Sequence, residues 1–165
     1  MSVSLRCYST SLGCPKNRVD TERLLGSLGV ALVPVESPDE AELVFINTCA
    51  FIQPATEESV RTIAQAIADI EELPKRPLLA VAGCLVGRYH AEDLAPELPE
   101  VDLWLDNSDR EAWPAMLARK LGLPEPTVPG RILSTGPSYA WLKISDGCRH
   151  ACSFCAIPNL SLIHI

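Results

Sequence analysis

The sequence has no long apolar run and no secretion signal. No apolar stretch approaches the ~18 residues that a membrane-spanning helix needs. The N-terminal sequence MSVSLRCYSTSLGC lacks a basic region followed by an apolar stretch and a small-residue cleavage site. The sequence therefore predicts a cytoplasmic protein with no membrane partner.

Positive charge is also scarce. Lys and Arg number 14 against 21 Asp and Glu, which gives a net charge of −7. Because phosphate binding relies on clustered Lys and Arg, we do not expect this stretch to bind nucleic acid by itself. With 47% apolar and 21% charged residues, the composition is ordinary for a globular protein, and about the first 120 residues can bury a core.

Seven cysteines are present in this sequence without a secretion signal. In a reducing compartment, structural disulfides are rare, and spaced cysteines more often bind metal or take part in chemistry. The odd total fits two metal-binding triads and one further cysteine at least as well as three disulfides and a leftover thiol.

Short apolar, β-branched runs alternate with helical patterns over residues 1–121. We predict strands at residues 5–9, 30–35, 43–47, 78–82 and 101–105, and helices at 17–28, 54–73 and 108–121. Gly29 would close the first helix, and Ser108 with Glu111 would form a capping box for the third. Strands alternating with helices indicate an α/β fold with a mainly parallel sheet, forming an N-terminal domain over residues 1–121.

A stretch rich in Pro and Gly follows, at residues 122–138, and predicts a linker. Residues 139–145 then predict a new strand, followed at once by a cysteine-rich loop. Residues 139–158 would thus begin a second, truncated domain.

Cys14, Cys49 and Cys84 each follow a predicted strand. In a parallel sheet the carboxyl ends of the strands share one edge, where ligand sites form, so these three thiols can meet there. Each could instead be a small buried apolar residue, as free cysteines often are. Cys7 lies inside the first predicted strand, and we expect it to pack in the core.

Cys148, Cys152 and Cys155 form a C-x3-C-x2-C loop. Such a loop lets one turn of chain present three thiolates to a metal centre and leaves one coordination position open, as at catalytic sites. An iron–sulfur cluster is the favoured occupant. A zinc site, with His150 as fourth ligand, and a role without metal are the alternatives.

Four motifs, in order, resemble one family: SLGCPKN (residues 11–17), INTCAFI (46–52), AGCLVGRY (82–89) and CRHACSFC (148–155). The last resembles the cluster loop of radical S-adenosylmethionine enzymes, and together the four resemble the methylthiotransferase family. The first two are more similar to the RimO branch, which modifies an aspartate of small-subunit ribosomal protein S twelve, than to the tRNA-modifying MiaB branch.

This resemblance implies two 4Fe–4S clusters and S-adenosyl-L-methionine as cofactors. Cys148, Cys152 and Cys155 would hold the cluster that binds S-adenosylmethionine and yields a radical. Cys14, Cys49 and Cys84 would hold the cluster that carries the incoming sulfur. The partners implied are ribosomal protein S twelve, an electron donor and a sulfur donor. Asp146, Arg149 and His150 flank the second triad (Cys148, Cys152 and Cys155), either in a supporting role or as part of a solvated loop.

After residue 158 the sequence departs from the family, which continues into the rest of a partial α/β barrel. Residues 159–165 are predicted to be a non-native tail, since LSLIHI also matches one reading frame of a sequencing adapter. The chain is thus predicted to be an N-terminal fragment, inactive alone. The alternatives are a tRNA adenosine methylthiotransferase and a non-catalytic iron–sulfur electron-transfer protein.

Overall fold

A five-stranded parallel sheet forms the centre of the protein. The computed structural model describes residues 4–148, 150 and 152–160. The strands, in spatial order β2-β1-β3-β4-β5, are all parallel to their neighbours. Their bounds are β1 (Ser4–Ser11), β2 (Ala31–Pro34), β3 (Leu43–Thr48), β4 (Leu78–Gly83) and β5 (Leu103–Leu105). The predicted α/β class with a mainly parallel sheet is confirmed.

Helices follow most of the strands and cover both faces of the sheet. They are α1 (Pro15–Ser27), α2 (Gln53–Ile70), α3 (Cys84–Tyr89), α4 (Ala91–Leu94), α5 (Trp113–Leu121) and α6 (Ile157–Leu160), with short 3₁₀ turns at Pro38–Glu40 and Asn107–Asp109. No helix in these described residues is long and apolar enough to cross a membrane.

The core has two parts, one on each face of the sheet. Leu24, Phe45 and Trp113 lie in the part between the sheet and helices α1 and α5. Ile46, Ile63 and Leu85 belong to the other. Because both faces are covered, every residue of β3 is buried, which explains its continuous apolar run. Cys7, inside β1, is 5% exposed, so its predicted place in the core is confirmed.

The predicted capping box at Ser108 and Glu111 is wrong. The Asp106 carboxylate accepts a hydrogen bond from the Ser108 N–H at 2.7 Å, and a 3₁₀ turn follows. Helix α5 begins only at Trp113, without a side-chain cap, and has Pro114 in its first turn. Proline is tolerated there because the first turn has no intrahelical partner for its N–H.

The predicted strand at residues 139–145 is also wrong, because this segment pairs with no strand in the described part of the chain. A parallel strand needs the free N–H and C=O groups of a neighbour, and here the segment runs along α1 instead. The start of a radical-enzyme barrel is therefore not seen. Residues 122–138 contain neither helix nor strand. Their role as a linker, and the non-native tail at residues 159–165, which extends beyond the described residues, stay predictions.

Candidate metal centre at the carboxyl edge of the sheet

Three cysteines lie at the carboxyl ends of three neighbouring strands. Cys14 immediately precedes α1 in the loop after β1. Cys49 comes directly after β3, and Cys84 directly after β4. Because β1, β3 and β4 are adjacent and parallel, their carboxyl ends share the edge where open α/β sheets bind ligands. The predicted placement is confirmed, while the role of these cysteines as ligands stays a prediction.

The thiols of Cys49 and Cys84 share a hydrogen bond. This bond lowers the pKa of Cys49, against the opposing effect of burial and with help from the Phe51 N–H. The pKa of Cys84 is raised by the same hydrogen bond, by burial and by the negative charge of Cys49. Cys14 is near enough to raise the pKa of Cys84 further. The sulfurs of these three cysteines therefore lie close enough to interact electrostatically.

The backbone around these sulfurs is suited to bound thiolates. The N–H of Phe51 hydrogen-bonds to the sulfur of Cys49, and that of Ala50 to the sulfur of Cys84. Gly13 has φ +81°, and a Cβ there would lie 2.6 Å from both Cβ and Sγ of Cys49. Glycine thus lets the loop after β1 approach Cys49. N–H donors to ligating sulfurs are a usual means of stabilising iron–sulfur clusters.

Within residues 4–148, 150 and 152–160, no three Cys, His, Asp or Glu side chains converge closely enough to hold one metal ion. In a cluster, each thiolate binds a different iron atom, so the ligands stand further apart than around a single ion. Three thiols at one sheet edge, two of them with N–H donors, are a donor set that fits an iron–sulfur cluster.

Buried amide and hydroxyl groups fix the loops that carry the first triad (Cys14, Cys49 and Cys84). The Asn17 side-chain amide donates to Leu12 O at 3.0 Å and to Thr48 O at 2.8 Å, which joins the loop after β1 to the end of β3. The Asn47 amide donates to Asn17 O at 2.9 Å. The Thr48 hydroxyl donates to Ala82 O at 2.6 Å and so connects β3 to β4. These bonds hold the three cysteine-bearing loops in one arrangement.

Ser59 is a supporting residue that the sequence analysis missed. Its hydroxyl, fully buried, donates to Cys49 O at 2.6 Å and accepts from Cys49 N–H at 3.0 Å. Arg88 also supports this loop, since Nη1 donates to Ala50 O at 2.8 Å. The available signal was a serine within the apolar stripe of α2, which continues with Ile63.

The second triad lies on a loop of irregular structure. Cys152 is exposed, Cys148 and Cys155 are half-buried, and the Cys155 N–H donates to Cys152 O at 3.0 Å in a turn. Arg149 lies outside the described residues. The three thiols are a donor set that fits an iron–sulfur cluster.

Asp146, just before the second triad, is not in a solvated loop. Its side chain is 12% exposed and lies 2.7 Å from Lys143 Nζ and 2.6 Å from Arg110 Nη1. Burial acts to raise the pKa of Asp146, but the hydrogen bond from Lys143 and the charges of Arg110 and Lys143 outweigh it and hold this pKa below its ordinary value.

Comparison with known proteins agrees with the resemblance indicated by the four sequence motifs. Residues 6–106 match the family described as "Uncharacterized protein family UPF0004". The chain is 71% identical over 153 residues to a protein from Nitratidesulfovibrio vulgaris (strain DP4), with 93% of the chain and 36% of the relative covered. A Lawsonia intracellularis protein is 58% identical over 160 residues, with 96% and 36% covered. An Aquifex aeolicus protein is 47% identical over 153 residues, with 91% and 32% covered.

All three relatives are named "Ribosomal protein uS12 methylthiotransferase RimO". The chain spans about a third of the length of these curated relatives. The resemblance to the RimO branch of the methylthiotransferases, as a fragment of such a protein, is confirmed. The chain therefore belongs to the UPF0004 family and is similar to about a third of the length of the RimO methylthiotransferases.

Proposed function

We propose that the protein containing this chain adds a methylthio group to the β-carbon of an aspartate of ribosomal protein uS12. The observation that carries the proposal is the gathering of Cys14, Cys49 and Cys84 at one sheet edge, in a chain 58–71% identical to relatives named for this activity. We further propose a cytoplasmic location, where a ribosomal substrate is available.

Cys14, Cys49 and Cys84 would hold one 4Fe–4S cluster, and Cys148, Cys152 and Cys155 a second that also binds S-adenosyl-L-methionine. Together these groups supply sulfur and a radical able to activate a carbon–hydrogen bond. An electron donor and a sulfur donor are the further partners of such a reaction. The chain alone should be inactive, because it spans about a third of its relatives.

The residues of the chain have definite tasks in this proposal. The N–H groups of Ala50 and Phe51 would stabilise negative charge on the cluster sulfurs. Phe51, 51% exposed, can cover the first cluster from water. Lys16 is exposed and close in sequence to Cys14, so its ammonium group can attract the carboxylate of the substrate.

The cluster assignment is tested by reconstituting the chain without oxygen and measuring iron, sulfide and the Mössbauer spectrum. We expect two 4Fe–4S clusters in the unmodified chain. Cys14→Ala, Cys49→Ala or Cys84→Ala should each lose the first cluster and about half the iron. Cys7→Ala is the matched control and should keep both clusters, because Cys7 lies inside β1. Zinc as the main metal, or loss of half the iron in Cys7→Ala, would contradict the assignment.

The substrate is tested by deleting the gene and measuring the mass of uS12 together with the nucleosides of bulk tRNA. We expect uS12 to lose the mass of a methylthio group in place of a hydrogen, while the tRNA nucleosides stay unchanged. Loss of methylthioadenosine with an unchanged uS12 mass would assign the protein to tRNA instead.

A further inference from the structure

Four charged side chains meet where the segment before the second triad runs along α1. Lys143 Nζ lies 2.8 Å from both carboxylate oxygens of Asp20 and 2.7 Å from Asp146 Oδ2. Arg110 Nη1 lies 2.6 Å from the same Asp146 oxygen, and Arg110 Nε lies 3.5 Å from Asp20 Oδ2. Asp20 belongs to α1 and Arg110 to the turn before α5, while Lys143 and Asp146 belong to the segment.

These four side chains are largely buried, with exposures of 9% for Asp20 and Lys143, 12% for Asp146 and 17% for Arg110. Two positive and two negative charges balance within the group. Burial makes each charge dependent on its partners, because a buried charge left unpaired is strongly destabilising. The group therefore differs from surface ion pairs, which contribute little.

Apolar burial contributes little to docking this segment, since Trp141 is 41% exposed and the other large apolar side chains face solvent more fully. Tyr139 is 58% exposed, Leu142 77% and Ile144 86%. The segment also has no strand partner in the described part of the chain. The ionic contacts are thus the main interactions that dock residues 139–147 on the rest of the protein.

A second set of contacts, earlier in the chain, also lies on α1. Glu22 of α1 is 2% exposed and accepts hydrogen bonds from Arg131 Nε and Nη2 at 2.9 and 2.7 Å. It also accepts from Ser134 N–H at 2.8 Å and Ser134 Oγ at 2.7 Å. Residues 131–146 therefore contact α1 at Glu22 and again at Asp20.

Helix α1 begins immediately after Cys14, and the docked segment ends immediately before Cys148. Lys16, in the first turn of α1, is close enough to Asp146 for their charges to interact. Residues 141–145 and the first turns of α1 line a common cavity of about 100 Å³. The docked segment thus places the start of the Cys148 loop near the end of α1 that follows Cys14.

We propose that Asp20, Arg110, Lys143 and Asp146 form an ionic clamp that docks residues 139–147 on α1 and so positions the Cys148 loop beside the edge of the sheet that carries Cys14. The four are positioning residues. The inference rests on the proposed function only for what the cysteine loop binds, because the docking needs no cluster.

The first test is chymotrypsin cleavage of the full cluster-free chain, since a protease cuts a docked segment only when it detaches. Lys143→Gln should speed cleavage at residues 139–142 at least about tenfold, because it leaves buried carboxylates short of a partner. Lys143→Arg should restore most of the protection. Lys75→Gln is the matched control, as Lys75 is 85% exposed and lies 3.8 Å from Glu42, and it should cleave like the unmodified chain.

Unchanged cleavage of Lys143→Gln, no rescue by Lys143→Arg, or equally faster cleavage within β3 and β4 would each overturn the clamp. If Lys143→Gln does not fold, Asp146→Asn is judged by the same criteria. Since both residues lie outside the sheet and its helices, a failure of both variants to fold would also overturn it.

The second test is electron paramagnetic resonance of the reconstituted, reduced chain. With equal iron content, Lys143→Gln should change the magnetic interaction between the two clusters, and Lys143→Arg should retain it. An unchanged interaction would overturn the positioning role. Failure to load a second cluster in the unmodified chain would count against the proposed function, and the cleavage result would then decide the clamp.

Discussion

Replacing Gly13 with alanine tests whether the loop after β1 is shaped by its approach to Cys49. Gly13 has φ +81°, and an added Cβ would lie 2.6 Å from Cys49 Cβ and Sγ. Gly29 is the matched control, because its φ is +67° and an added Cβ would have no neighbour within 4 Å. Both substitutions carry the cost of a left-handed residue, and Gly13→Ala alone adds a collision.

The two costs differ enough to measure. A left-handed conformation costs an alanine about 1–2 kcal/mol, which is the full effect expected for Gly29→Ala. The collision overpacks the buried Cys49 side chain and adds about 1–3 kcal/mol, so Gly13→Ala should cost about 2–5 kcal/mol. The collision should also push Cys49 away from Cys84 and weaken binding of the first cluster.

Urea unfolding of the cluster-free chain under reducing conditions gives the free energy of unfolding. Iron analysis after reconstitution then shows whether Gly13→Ala loses the first cluster while Gly29→Ala keeps both. Equal destabilisation by the two variants, or full iron content in Gly13→Ala, would refute the argument that close approach to Cys49 requires glycine.

Two further predictions concern stability. Ser59→Ala should lower the free energy of unfolding by about 1–3 kcal/mol, because it leaves the buried N–H and C=O of Cys49 unpaired. Thr62→Ala on the same helix is the control and should change the free energy of unfolding by less than about 0.5 kcal/mol. Urea unfolding of both variants checks this prediction. Burial acts to raise the pKa of Glu22, but hydrogen bonds from Ser134 and the charge of Arg131 hold it below 4.5. The unfolded chain therefore binds more protons than the folded one, and stability should fall as the pH drops below about 4.5. Glu22→Gln should show a shallower decline of stability over that range, and a pH profile identical to that of the unmodified chain would contradict the prediction.

Most of the sheet could be predicted from local sequence patterns. Each predicted strand of residues 1–121 overlaps an observed one, because β-branched runs bounded by turn residues are typical of strands buried in a parallel sheet. Helix α1 was found, although it begins at Pro15 rather than residue 17. Helix α3, which begins at Cys84, was missed because it spans only six residues. The prediction of a strand at residues 139–145 failed because a β-strand forms only when it pairs with a neighbouring strand.

The sequence by itself determined the α/β class, the burial of Cys7, and the placement of Cys14, Cys49 and Cys84 after strands, because periodicity and spacing are local properties. Only the tertiary structure decided that Cys49 and Cys84 share a hydrogen bond, that Ser59 holds the Cys49 backbone, and that Lys143 meets Asp20 across 123 positions of sequence. Such contacts join residues far apart in the chain, and no local pattern encodes which of many charged or polar side chains will meet once the sheet is assembled.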